Sequence, residues 1–275
     1  SFSRSAVNEQ AGSRTPVSNI FAGLMVFITL LFLTPAFEYL PTAALAAIII
    51  TAAINLVDVD SLKWLLRTKR RDGLIALFTF AITLVIGIQE GILIGIAVSL
   101  LALLYRQSRP NVAELGHLPG TRSFKDLKRF AEADKIEKIM ILRIDASFSF
   151  TNAEFFKDYI LRKSISSDEE VEAVIIDGSA INDLDTTALD ALRSVIETLK
   201  DWDIELHISG LKGPVRDVMK KAGIYQLLGE ERMFRSPHQA VINILSRWEK
   251  ETERKECLDS YYRRTECEPP EDESG

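Results

Sequence analysis

The sequence predicts an α-helical membrane bundle followed by an α/β domain, and three observations lead there. Four apolar runs crowd the first 110 residues, with no Lys or Arg from Thr15 to Leu62 or from Asp72 to Tyr105. Beyond Pro110, short apolar strands alternate with amphipathic helices. Charge divides at the same place. The chain carries a net −6, yet residues 1–110 hold nine basic and six acidic groups, a net of +3, and leave −9 to the rest. A length of 275 residues allows one or two domains. Two cysteines exclude a disulfide framework or a multi-Cys zinc site, and the acidic balance argues against a nucleic-acid binder.

The first element is the polar stretch SFSRSAVNEQAG. Ser1 or Ser3 can cap a helix, and Arg4 beside its free N–H groups would favour an anion. Half-helices of this kind meet near the membrane midplane in secondary transporters. A juxtamembrane loop with solvated charges fits these residues equally well. The chain begins with Ser, and no signal peptide precedes the apolar runs, so it is expected to be the C-terminal piece of a longer one.

The runs are Val17–Leu33, Ala43–Val57, Leu74–Ile88 and Ile92–Leu104. Each reaches about 20–26 Å as a helix, short of the roughly 20 residues a lone span needs. Polar residues at their ends extend them to spans near 17–34, 42–57, 73–88 and 91–106. Their Gly and Ala content favours close packing inside a bundle. A large water-soluble helical core is the alternative, but the runs leave no polar face for water. Pro35 and Pro41 bracket the first connection, and GIQEGILIG reads as a tight turn in the third. Lys63–Arg71 forms a basic connection between them, and Arg106 and Arg109 follow the last run. Basic residues mark the cytoplasmic side, so the α/β domain is expected in the cytoplasm.

In that domain, strands are expected at 138–144, in VEAVIIDGS ending at Asp177, in IELHISG and in ERMFRS. A helix capped by Thr151 or Asn152 follows the first strand, with Glu154 in its first turn. Asp185 caps the next, which turns Ala188, Leu192, Val195 and Leu199 to one face. Pro214 opens a third helix through Lys221, closed by Gly223. A last helix begins at Pro237. The alternation implies a mainly parallel sheet.

His117, His207 and His238 lack ligand spacing and read as surface or strand residues, so no metal site is assigned. Cys257 and Cys267 fall in a charged tail, 251–275, expected to be disordered and reduced. No nucleophile–base pair and no phosphate-binding loop stands out, so an enzyme is not expected, and no cofactor is called for.

The opening SFSRSAVNEQAG followed by four spans is similar to the SulP family of sulfate permeases and related anion exchangers. The segment IIDGSAINDLDTTAL, with the strands and helices around it, resembles the STAS domain of such proteins. The resemblance covers roughly residues 1–250. It implies fourteen membrane segments in two inverted repeats of seven, of which this chain would hold the last five: a half-helix over about 1–12 and the four spans. The N-terminal repeat would then be a missing partner. It further implies that Phe2, Ser3 and Arg4 line an anion site, with Phe2 as wall, Ser3 offering hydroxyl and N–H, and Arg4 supplying positive potential. The half-helix and first span would belong to the moving core, and the other three to the gate. The STAS domain, 111–250, would serve dimerisation, assembly and regulation, implying a homodimer.

In bacterial anti-anti-sigma relatives, a Ser at this helix start accepts phosphate. Thr186 occupies that position, and Ala188 stands where those relatives have Gly. A phosphate there would gain from the helix dipole but meet Asp183 and Asp185, so Asp185 as cap with Thr186 in the first turn is the favoured reading. The expected function is secondary active transport of an inorganic anion, sulfate favoured, across a lipid membrane. The competing reading is a membrane-tethered STAS signalling module without transport.

Overall fold

The computed structural model describes residues 12, 15, 17–37, 41–54, 58–166, 170–252 and 261. Two compact units divide within a helix, at Gly95 and Ile96.

The first unit is helical. Helix α1 spans Val17–Phe32, α2 Thr34–Phe37 and α3 Thr42–Ile54. α1 carries no charge along its 16 residues, and its large apolar side chains, from Val17 to Phe32, stand exposed. Such a surface is costly in water and suits a lipid environment. The basic connection is a helix of its own, α4, Val59–Thr68. Asp58 caps it by accepting from the Ser61 N–H at 2.9 Å. Lys69 breaks it with an extended backbone, and α5, Arg70–Val85, starts at once. Gly73 of α5 is buried, and a Cβ there would come within 2.6 Å of Leu66 Cδ2.

Helix α6 spans Ile88–Ser108. The turn before it needs only Ile86 and Gly87, the latter at φ +139°. The rest of the segment read as a turn is helical, because Ile88 to Ile96 carries no residue that breaks a helix except Gly91 and Gly95. Those glycines, four residues apart, set the approach to α5. A Cβ at Gly91 would meet Thr83 Cα at 2.6 Å, and one at Gly95 would meet Thr79 Cγ2 at 2.6 Å. Thr83 and Thr79 turn their hydroxyls back to their own helix, donating to the Thr79 and Ile75 carbonyls at 2.8 and 2.9 Å. With both hydroxyls satisfied on α5, the threonine side chains lie directly against the glycines, oxygen included: Thr83 Oγ1 is the atom nearest the Gly91 Cβ position. Among the described residues, α6 alone is long and apolar enough to cross a membrane, with 21 residues, or about 31 Å.

The second unit is built on a six-stranded sheet. Its strands are β1 Val112–His117, β2 Phe124–Asp126, β3 Ile139–Ile144, β4 Ala173–Asp177, β5 Glu205–Ser209 and β6 Met233–Phe234, in the order β2-β1-β3-β4-β5-β6. β3 through β6 are parallel; β1 runs antiparallel to β3, and β2 to β1. Between strands come α7 Ala153–Ile165, α8 Thr186–Asp201, α9 Gly213–Lys221 and α10 Ile224–Leu228, and α11 Pro237–Thr252 follows β6.

Period-two alternation sorts the strands onto two faces. Leu142, Ile176 and Ile208, in register across β3, β4 and β5, pack with Phe156, Leu192, Val195 and Leu199. Ile141 and Ile175 face Ala240, Val241, Ile244 and Leu245 of α11. With both faces covered, all five residues of β4 are buried, as a central parallel strand requires.

β1, β2 and α10 are additions to the sequence reading. β1 interrupts its apolar residues with Glu114 and Gly116, and α10 has only five residues. Neither carries a periodic signal long enough to read alone.

Candidate functional site

Phe2, Ser3 and Arg4, and the half-helix expected over 1–12, lie outside the described residues apart from Gly12. So does the expected tail, 251–275, except for Glu251 and Thr252 at the end of α11 and for Tyr261.

The start of α8 is described in full. β4 ends at Asp177, whose Oδ1 accepts from the Ser179 N–H at 3.1 Å, while the Gly178 N–H donates to the Ser209 carbonyl at 2.8 Å. The chain then reaches Asp185. One carboxylate oxygen accepts from the Ala188 N–H at 2.9 Å, completing the N-cap. The other accepts from the Phe150 N–H at 2.6 Å, and the Phe148 N–H donates to the Asp183 carbonyl at 3.1 Å. Asp185 therefore joins the loop ahead of α7 to the start of α8. Thr186 is exposed beside it. A phosphate on Thr186 would find the Ala188 N–H already taken and two carboxylates close in sequence. The geometry fits the cap more closely than the phosphate.

A second cluster lies on β5, on the face toward α11. His207 is fully buried, and its Nε2 sits 3.1 Å from Glu205 Oε2. Arg247 of α11 donates to the same oxygen. Burial pushes the Glu205 carboxyl up, but His207 and the Arg247 guanidinium outweigh it and hold the pKa at about 2. Burial pushes His207 below the usual imidazole value, against the pull of Glu205, so it stays neutral near pH 7. The His207 Nδ1, the Ser209 hydroxyl and the Arg247 Nε are buried without a hydrogen-bond partner among the described residues. His207 is a strand residue of the interior, which its neighbours Leu206 and Ile208 did not reveal. Arg247 lies 42 positions after Glu205, beyond any local pattern.

His117 and His238 meet at Tyr261. The His117 and Tyr261 ring centroids lie 5.0 Å apart, and His238 Nδ1 is 2.7 Å from the Tyr261 hydroxyl. Tyr261 is 4% exposed, packed into the core beneath α11. Among the described residues no three His, Cys, Asp or Glu gather where they could hold a metal ion.

Residues 1–79 match the model of the sulfate permease family, and residues 130–240 match that of the STAS domain. Over 250 residues the chain is 36% identical to the chloroplastic sulfate transporter 4.1 of Arabidopsis thaliana, covering 88% of this chain and 36% of that protein. High affinity sulfate transporter 2 of Stylosanthes hamata is 32% identical over 249 residues, covering 88% of this chain and 38% of its own. The murine Slc26a9 anion transporter, solved in its inward-facing state, superposes with a TM-score of 0.69 at 21% identity over 86% of this chain and 39% of that one. That likeness is one of fold. The chain spans little more than a third of the length of the curated relatives it matches.

Proposed function

We propose, from a chain that belongs to the sulfate permease family and carries a STAS domain, that it is the C-terminal part of a secondary active inorganic-anion transporter, with sulfate the favoured substrate. It is an integral membrane protein of a transporter family and not an enzyme. The observation that carries the reading is the order of the two matches on one chain, sulfate permease over 1–79 and STAS over 130–240, shared across 250 residues with a sulfate transporter. A tethered signalling module is less favoured, because relatives aligned over 88% of the chain are named sulfate transporters.

In this reading the anion sits at Phe2, Ser3 and Arg4, facing the other repeat of the family's fold. Arg4 supplies field and a planar fork of donors, and Ser3 supplies hydroxyl and N–H. The STAS domain lies in the cytoplasm, as Lys63–Arg71, Arg106 and Arg109 favour. It regulates or assembles a homodimer in the lipid bilayer, and Thr186, exposed beside the Asp185 cap, is the residue a kinase would meet at the start of α8. Sulfate uptake by vesicles holding the protein at the length of its relatives tests the site. Arg4→Glu reverses the field and is expected to abolish uptake. Arg4→Lys keeps charge without the fork and retains part of it, and Ser3→Ala lowers affinity. Wild-type uptake by Arg4→Glu would remove Arg4 from the site.

A further inference from the structure

α6 ends with Tyr105 and Arg106 near its last turn, and Arg109 follows directly. The guanidinium of Arg109 lies 5.8 Å from the Tyr105 ring centroid and forms no ion pair among the described residues. Aromatic and basic side chains at the end of an apolar helix of membrane length collect at the headgroup level.

Arg109 also lines an open cleft of about 450 Å³ with α7 and the residue after it. Phe155 and Tyr159 give the cleft an aromatic wall, and Arg162, Lys163 and Ser166 give it donors. Three cations thus face one lining carboxylate, Asp158, which is paired with Arg162 at 3.3 Å. Lys163 is steadied by Glu114 at 3.1 Å. Arg162 and Lys163 lie in the last turn of α7 and offset the partial negative charge of that helix end. Two arginines without buried partners, aromatic rings and a hydroxyl suit a phosphate with an apolar body attached.

The geometry points to a binding site for the phosphate of an anionic phospholipid headgroup, held by Arg109 and Arg162 and flanked by Lys163. It rests on reading α6 as a membrane span, which is part of the proposed function. Free phosphate shares the chemistry. A cleft lined by the first residue beyond an apolar helix meets headgroups held at the membrane surface, and the aromatic wall has no use for an inorganic ion.

The test uses the 275-residue chain in mild detergent containing phosphatidylglycerol or phosphatidylcholine, with retained lipid counted by native mass spectrometry. Phosphatidylglycerol is expected to be retained about tenfold more tightly than phosphatidylcholine, and Arg109→Gln with Arg162→Gln to lower that retention about tenfold. Arg109→Lys with Arg162→Lys, which keeps both charges and guards against a folding defect, should retain an intermediate amount. Inorganic phosphate at the lipid's concentration should not displace it. Equal retention of the two lipids, unchanged retention in the double Gln variant, or displacement by inorganic phosphate would each overturn the proposal. Sulfate uptake by the same variants at the relatives' full length separates the two readings. Loss of uptake in the wild type with selective lipid retention sinks the transport reading alone, and uptake without lipid selectivity sinks this one alone.

Discussion

Asp185 shows how much a single carboxylate can hold. Its cap on Ala188 is legible in the sequence, because an Asp before an apolar helical stripe has a standard use. Its bond to the Phe150 N–H, 35 positions away, is not, because the partner arrives only through tertiary folding. Asp185→Ala is expected to cost near the upper end of about 0.5–2 kcal/mol, since it releases two N–H groups, and Thr186→Ala close to nothing. Urea unfolding of both variants checks this. A large loss of sulfate uptake from Thr186→Ala, with normal folding and expression, would instead favour a phosphorylation switch.

His207 makes a different demand. With its folded pKa below the unfolded value of about 6.5, the unfolded chain binds the proton more readily. Stability tied to the neutral ring is therefore present above about 6.5 and lost as pH falls below it. Glu205, held at about 2, adds no loss until the pH drops below its ordinary range near 4.5. Between pH 7.5 and 5.5 the urea midpoint of the α/β unit should fall, and in His207→Leu it should fall less. Equal slopes in the two proteins would show that other groups govern this window.

At the level of elements, the parallel core was readable and its antiparallel fringe was not. β3 and β4 are apolar runs, β5 alternates Leu206 and Ile208 with polar residues, and α8 follows from its Asp185 cap and apolar stripe. At α7 the expected cap is absent: Asn152 stands at the N-cap but accepts from the Ser149 N–H ahead of the helix. β1 draws its stability from pairing with β3, from Val112 opposite Ile144 to Leu115 opposite Ile141, and pairing leaves no local trace. The membrane half presents the same contrast. Its Gly and Ala content announced close packing, but not which glycines touch. Gly91 and Gly95 do, against Thr83 and Thr79, whereas Gly23 of α1 has nothing within 4 Å of its would-be Cβ. Gly95→Leu should cost about 1–3 kcal/mol by overpacking and lower the melting temperature in detergent. Gly23→Ala should leave it unchanged or raise it slightly. Equal loss in both variants would mean that the α5–α6 approach does not limit stability.

For the whole molecule, the charge split parallels a difference in surface: α1 leaves its large apolar side chains exposed, whereas both faces of the sheet are covered. Residues 111–250 bury their apolar side chains on both faces of the sheet, so this piece should fold without detergent, read as a mixed helix and strand spectrum with a cooperative melt. A random-coil spectrum would place the boundary elsewhere. The reading of Phe2, Ser3 and Arg4 as an anion site rests on resemblance, because the residues alone fit a half-helix and a solvated loop equally well, and all three lie outside the described residues.

The strands at the two margins of the sheet are also its shortest, three residues in β2 and two in β6. A growing filament needs a long unpaired rim on which the next copy can zip its backbone, and neither margin offers one. Copies of the α/β unit brought together in solution have little edge backbone to pair and must meet through their side chains. Any pairing would then be closed and reversible, and concentrated domain should stay clear and bind no amyloid dye.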